Sequence, residues 1–249
     1  MPANDPSQAI PPRQRLIVAV DVPDAHAARA LVEELGDAVE FYKIGLELAM
    51  SGSYFELMDW LLEKDKRVFA DMKFYDVPAT VSAAVRQISN RGASFLTVHG
   101  DRAIMEAAAA HKGDTLQVLA VTVLTSLDKR DLEQMGIHDD VQTLVLRRAH
   151  QAVAAGCDGI IASGHEAGEL RNALGAGPLI VTPGIRPADN TSKDDQKRIV
   201  TPALAIERGA DYLVVGRPIR SAPSPRAAAE AIQAEIAAAL APMSHRDSG

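Results

Sequence analysis

The stretch DMKFYDVPAT, Asp71 to Thr80, sets two aspartates and a lysine within six residues, directly behind the apolar run Val68-Phe69-Ala70. In an extended strand, residues two apart leave the same face. Asp71 and Lys73 are therefore expected to point together toward one end of the strand, with Asp76 in the loop beyond. A lysine between two carboxylates is held charged: at ~4 Å and an effective dielectric of about 20, each pair contributes about 4 kcal/mol before desolvation, and the lysine pKa is expected to rise. Such a lysine is a poor Schiff-base nucleophile, which needs a neutral amine, and a suitable ammonium donor of a proton or hydrogen bond. The same residues could also form a structural ion-pair network, and their spacing leaves both readings open.

A second cluster joins VTPGIRP (181–187) to VVGRPI (214–219). Gly184 and Gly216 let backbone N–H groups approach an anion, while Arg217, with Arg186, supplies positive charge; a phosphate monoester is the expected ligand. Turn glycines with surface arginines are the competing reading. Between the two motifs, RPADNTSKDDQKRIVTP (186–202) is polar and lacks helical periodicity. It suits either a lid over the phosphate, with Gln196 available to bond ligand, or an ordinary surface loop. The seven histidines show no H-x-H or H-E-x-x-H spacing, so no metal site is expected. His99 either lines a pocket or is a hydrogen-bonded structural histidine. The single cysteine, Cys157, is expected to pack at a helix-to-strand turn.

These groups must be positioned by a scaffold, and the chain has a repeating one. Eight runs rich in Val, Ile and Leu, at 16–22, 41–48, 67–74, 95–100, 116–124, 159–163, 179–185 and 212–217, are each followed by a stretch long enough for a helix. Segments such as AHAARALVEELG, ATVSAAVRQISNRG, TLVLRRAHQAVAAG and SPRAAAEAIQAEIAAAL read as the outer helices. Near-continuous apolar strands imply burial on both faces, and eight βα alternations in 249 residues predict a single-domain (β/α)8 TIM barrel. An open doubly wound sheet is disfavoured because no G-x-G-x-x-G follows the first strand. In a barrel the C-terminal strand ends carry the site, and there the chain places Asp21, Lys43, Asp71 with Lys73, His99, Thr125, Arg186 and Arg217.

The barrel is expected over 15–241, with a loose polar leader at 1–14 and a loose tail at 242–249. A net charge of −7 argues against a broad nucleic-acid-binding surface. The lack of a signal-like apolar segment, of any 18-residue apolar run and of paired cysteines points to a cytoplasmic protein with no membrane partner.

The chain resembles the bacterial-type orotidine 5′-phosphate decarboxylase family. The resemblance rests on LIVAVDVPD (16–24), YKIGLEL (42–48), FADMKFYDVPATV (69–81), LAVTVLTS (119–126), VTPGIRP (181–187), DQKRIVTP (195–202) and YLVVGRPI (212–219). It implies cofactor-independent decarboxylation of orotidine 5′-monophosphate to uridine 5′-monophosphate, the last step of pyrimidine nucleotide synthesis. Lys73 would be the proton donor within an array of Lys43, Asp71, Lys73 and Asp76. The resemblance further implies a homodimer in which Asp76 and Thr80 reach into the partner's site. Asp21 and Lys43 would contact the ribose, Thr125 the pyrimidine, Arg217 with the Gly216 backbone the phosphate, and Gln196 would bridge phosphate and base; Arg186 belongs to the same set. Met72, Tyr75, Val77 and Ala79 depart from the usual D-L-K-F-H-D-I-P-N-T form without touching a charged member. Sister magnesium enzymes on the same barrel, such as 3-keto-gulonate 6-phosphate decarboxylase and hexulose-phosphate synthase, share D-x-K-x-x-D but carry an acid on strand two, where this chain has Lys43. A silent phosphate-ligand sensor is expected to have lost a charged member of the array, and none is lost here.

Overall fold

A computed structural model describes residues 10–187 and 200–241. Eight parallel strands, β1 (Leu16–Ala19), β2 (Phe41–Gly45), β3 (Arg67–Phe74), β4 (Phe95–His99), β5 (Gln117–Val121), β6 (Gly159–Ile161), β7 (Leu179–Thr182) and β8 (Tyr212–Val215), close in chain order, with β1 also pairing β8. This is the (β/α)8 barrel expected from the alternation of apolar runs and helices.

Period-two alternation sorts the strand residues into two cores. Ile17, Phe41, Phe69, Phe95, Leu119, Val181, Tyr212 and Val214 fill the inside of the barrel. Leu16, Val18, Tyr42, Ile44, Val68, Leu96, Val118, Ile180 and Leu213 instead join the layer between strands and helices. Burial on both faces is why the runs carry so few polar residues. The outer helices include Ala25–Leu35, Pro78–Asn90, Val141–Ala154 and Pro225–Leu240. Asp24 and Asp140 accept bonds from Ala27 N–H and Thr143 N–H, each at 2.8 Å, capping two of them. Pro78 and Pro225 occupy first-turn positions, where a missing N–H costs nothing.

Several strands are shorter than the apolar runs that announced them, and two differences at the ends of elements change the architecture. The run at 41–48 is strand only to Gly45, after which Leu46–Met50 form a short helix at the rim. Of the expected leader 1–14, residues 10–14 close the floor of the barrel. Pro12–Gln14 make a 3-10 turn, Ile10 packs on the inner core, and Arg15 donates to Ile10 O and Asp211 O, both at 3.2 Å. Residues 1–9 and the expected tail at 242–249 lie outside the described residues.

At that floor the Arg67 guanidinium lies 4.2 Å from the ring centre of Phe41, 5.6 Å from that of Phe95 and 5.7 Å from that of Tyr212. A cation shared among three aromatic faces is attracted by each ring's quadrupole while its alkyl stem fills space. Arg67→Ala is expected to lower stability by about 2 kcal/mol, and Arg67→Met, which keeps the stem, by less. Urea midpoints of the two variants against the parent chain measure this.

Candidate active site

The next inward positions above the aromatic layer are polar. Phe41 is followed by Lys43 on β2, Phe69 by Asp71 on β3, and Phe95 by Thr97 on β4, so one more step of the same period lifts each strand from floor to site. Lys43 Nζ donates to Asp21 Oδ1 at 2.9 Å and stands 3.2 Å from Asp71 Oδ2, while Lys73 Nζ lies 2.7 Å from Asp71 Oδ1. The result is a continuous row of alternating charge, Asp21–Lys43–Asp71–Lys73, contributed by three adjacent strand ends. Asp71 and Lys43 side chains are each 11% exposed, whereas the Lys73 side chain is 33% exposed and opens toward the cavity.

The two central members, Lys43 and Asp71, are stable as charges, not as neutral groups. Burial by itself raises the Asp71 carboxyl pKa, but the charges of Lys43 and Lys73 and the hydrogen bonds from Lys73 and Thr97 outweigh it and hold the group below the usual carboxylate range. Burial likewise pulls Lys43 down, and the carboxylates of Asp71 and Asp21 outweigh it, leaving the amine above its ordinary value.

Lys73 reaches this row by a route that regular pleating does not describe. Ala70 pairs with Leu96 and Phe74 with Val98, so β3 advances four residues while β4 advances two. Within that bulge Lys73 has φ +46°, the left-handed region, rare for a side chain other than glycine. The same-face geometry inferred from a two-residue spacing therefore does not hold across 71–73, although the ion pair forms. Thr97, buried in β4, spans the gap, and sequence reasoning passed over it as part of an apolar run. Gly45 was also missed: a Cβ there would stand 3.3 Å from Lys43 Nζ and 3.6 Å from Asp21 Oδ1, crowding the row.

Across the barrel mouth lie the ends of β7 and β8. Gly184 has φ +77° and makes the turn after Pro183; Arg186 is buried and donates to Ile185 O at 2.9 Å. Arg217 begins a short helix and is exposed, with Arg220 one turn on, on the same side. The two halves face each other across a cavity of about 470 Å³, within the range of small-ligand sites. Asp21, Lys43, Asp71, Lys73, Thr125, Arg186, Gly216 and Arg217 all line it, and so does Arg220, which sequence reasoning did not single out.

Three of the singled-out positions are not brought to this cavity, and a fourth lies outside the described residues. Asp76 and Thr80 are exposed on the first turn of Pro78–Asn90 and the loop before it, with Asp76 Oδ1 accepting from Val77 N–H at 2.6 Å. His99 stands beside the cavity under the Tyr75 ring, the two ring centres 4.8 Å apart. Burial, then the nearby Arg148, lowers its pKa. Gln196 lies outside the described residues. Among the described residues, no group of three or more His, Cys, Asp and Glu could hold a metal ion, and no helix is long and apolar enough to cross a membrane.

Residues 14–232 match the model of the orotidine 5′-phosphate decarboxylase / HUMPS family. The chain belongs to that family. It is 57% identical to orotidine 5′-phosphate decarboxylase of Methylococcus capsulatus over 92% of this chain and 95% of the relative. It is 55% identical to the enzyme of that name from Stenotrophomonas maltophilia, again over 92% and 95%. Among solved structures, orotidine 5′-phosphate decarboxylase from Lactobacillus acidophilus superposes with a TM-score of 0.79 at 33% identity, over 90% of this chain and 99% of that one.

In this member of the orotidine 5′-phosphate decarboxylase / HUMPS family, the depressed Asp71 pKa has a definite sign in folding. A carboxyl whose folded pKa lies below its unfolded value, about 3.9, contributes stability that is fully present above that value and is lost as pH falls through the folded one. The difference in urea midpoint between the parent chain and Asp71→Asn should be constant from neutral pH down to about 4 and shrink below it.

Proposed function

We propose that this chain is a carboxy-lyase that converts orotidine 5′-monophosphate to uridine 5′-monophosphate and CO2. The observation that carries the proposal is the Asp71–Lys73 ion pair, set on one wall of a cavity whose opposite wall holds the Gly184 turn, Gly216 and Arg217. One wall suits the reacting carbon and the other a phosphate. The relatives at 57% and 55% identity bear the name of this activity.

In the proposed reaction the bond between C6 of the pyrimidine and its carboxylate breaks, CO2 leaves, and the bonding electrons remain on C6 in the ring plane, where the π system cannot take them up. Lys73 as an ammonium stabilises that charge and donates the proton that forms the new C–H bond, after which the amine is reprotonated from solvent. Asp71, charged and held by Lys43, lies beside the departing carboxylate and repels it in the bound substrate. Arg217 and the backbone at Gly216 hold the phosphate, Arg186 belongs to the same binding set, Asp21 and Lys43 meet the ribose hydroxyls, and Thr125 meets the base. Enzymes lower barriers by roughly 8 to 23 kcal/mol, more than one hydrogen bond provides, so binding energy from the distant phosphate is coupled to the chemistry. Gln196 completes the grip from the 186–202 segment.

The sister reading, a magnesium-dependent sugar-phosphate reaction, is less well supported. The site's β2 side chain, Lys43, is a cation bonded to Asp21 and near Asp71. It neutralises the carboxylates a second cation would need. Parent chain stripped with EDTA should therefore lower the absorbance of orotidine 5′-monophosphate as untreated chain does, and Lys73→Ala, still folded, should not; near-normal turnover by that variant would sink the assignment.

The chain works as a cytoplasmic homodimer in this proposal, with Asp76 and Thr80 completing the partner's site. Supporting this, both are exposed beside Tyr75, 66% exposed, and Val77, 62%, while the neighbouring β2 rim presents Leu46, 54%, and Met50, 79%. Lys73→Ala and Asp76→Ala chains are each expected to be inactive alone. Refolded together in equal amounts, they should recover about a quarter of parental activity, since half the dimers are mixed and each holds one intact site. Sedimentation and turnover measured on the same mixture check it.

A further inference from the structure

Thr97 is the one hydroxyl among the in-pointing side chains of β4, and it is 1% exposed. A threonine there costs burial of a polar group unless both its functions are met. Both are. Its Oγ1 accepts from Lys73 N–H at 3.0 Å and donates to Asp71 Oδ1 at 2.9 Å. The direction is fixed, because an amide only donates, an ionised carboxylate only accepts, and the hydroxyl has one proton.

The place of these bonds matters more than their number. Between the pairs Ala70–Leu96 and Phe74–Val98, Asp71, Met72 and Lys73 all stand opposite Thr97 alone. Here the Lys73 amide bonds a side chain, where a regular ladder offers it a backbone carbonyl. A non-glycine residue at φ +46° is strained and persists only where its surroundings hold it. Asp71 Oδ1 accepts from both Lys73 Nζ and Thr97, while Oδ2 faces Lys43. One hydroxyl thus ties the backbone of the lysine to the carboxylate that its own ammonium bonds, closing a small ring.

We propose that Thr97 is a positioning residue for the decarboxylation: its hydroxyl holds Lys73 in the left-handed bulge and fixes the plane of the Asp71 carboxylate. Thr97 does not line the cavity, so its effect on substrate passes through those two residues. The inference rests on the function proposed above and assigns no new chemistry to that site; it names what aims the proton donor.

Thr97→Val replaces the hydroxyl with a methyl of similar size, and Thr97→Ser keeps the hydroxyl. Since misplacing a reacting group by about 1 Å can cost 10²-fold, Thr97→Val should lower kcat roughly 10- to 100-fold with KM within about threefold of parental, while Thr97→Ser stays within about threefold in both. A merely structural threonine predicts the reverse: loss in proportion to the fraction unfolded, read by circular dichroism, and no split between kcat and KM. Parental kcat in Thr97→Val, or an equal loss in Thr97→Ser, would overturn the inference. Should the valine variant not fold, Thr97→Ala removes the hydroxyl without adding a methyl against Asp71 and must show the same kcat-selective fall, parental kcat again counting against it. Failure of the parent chain to turn over orotidine 5′-monophosphate would instead remove the underlying assignment, a result separate from an active parent matched by an active valine variant.

Discussion

The buried carboxylate of Asp71 is the constraint around which the site is organised. Taking an ion of that size out of water costs several kcal/mol even after relaxation, so it must be surrounded by groups that answer its charge. Lys43, Lys73 and Thr97 do so from three different strands, at 3.2, 2.7 and 2.9 Å. None of these partners is close to Asp71 by sequence except Lys73, so the carboxylate is satisfied only when β2, β3 and β4 are already side by side. Assembly of the charged row therefore depends on the pairing of those three strands.

The barrel divides its interior by height. Aromatic rings fill the lower layers, where Arg67 is stacked among Phe41, Phe95 and Tyr212, and carry no polar group upward toward the mouth. One pleat higher the side chains become Lys43, Asp71 and Thr97. The apolar layer beneath keeps water from the underside of the charged row, which makes each contact in that row stronger than it would be in solvent and gives an unpaired member a larger penalty. The opposite wall is built differently: Arg217 is exposed, and Gly184 turns the chain at φ +77°.

Much of this was legible in the chain because it depends on periodicity. Eight apolar runs announced eight strands, and strand ends announced Asp21, Lys43, Asp71, Lys73, His99, Thr125, Arg186 and Arg217, all of which except His99 meet at one cavity. Thr97, by contrast, sits in FLTVH, where a single small polar residue is indistinguishable from an ordinary half-buried strand position; its role appears only once β3 is laid beside it. The bulge at 71–73 was invisible for the same reason, since a register slip belongs to a pair of strands and leaves no mark on either alone. Arg220 lines the cavity because Arg217–Arg220 is helical. The eighth apolar run was read only to Arg217, so Arg220 had no place in that reading. The strand expected through Leu48 stops at Gly45, where a Cβ would press on Lys43 Nζ.

The D-x-K-x-x-D spacing is thus better understood as two pieces of different structure than as one motif. Asp71 and Lys73 belong to the barrel wall, held inward by the charged row and by Thr97. Three residues later the chain has left that wall: Val77 adopts the extended conformation that a following proline demands, with φ −58° and ψ 146°, and Pro78 opens the next helix. Asp76 bonds the Val77 amide and Thr80 lies on the helix's first turn, both facing away from this chain's cavity. The bulge marks the boundary between the pieces. It takes up extra residues of β3 against β4, the pairing resumes at Phe74–Val98, and the chain then leaves the wall at Tyr75 and Asp76 with Lys73 still paired to Asp71. A strand continuing in regular register would carry the second aspartate farther along the same wall. The geometry that aims the lysine inward is therefore also what presents the second carboxylate outward.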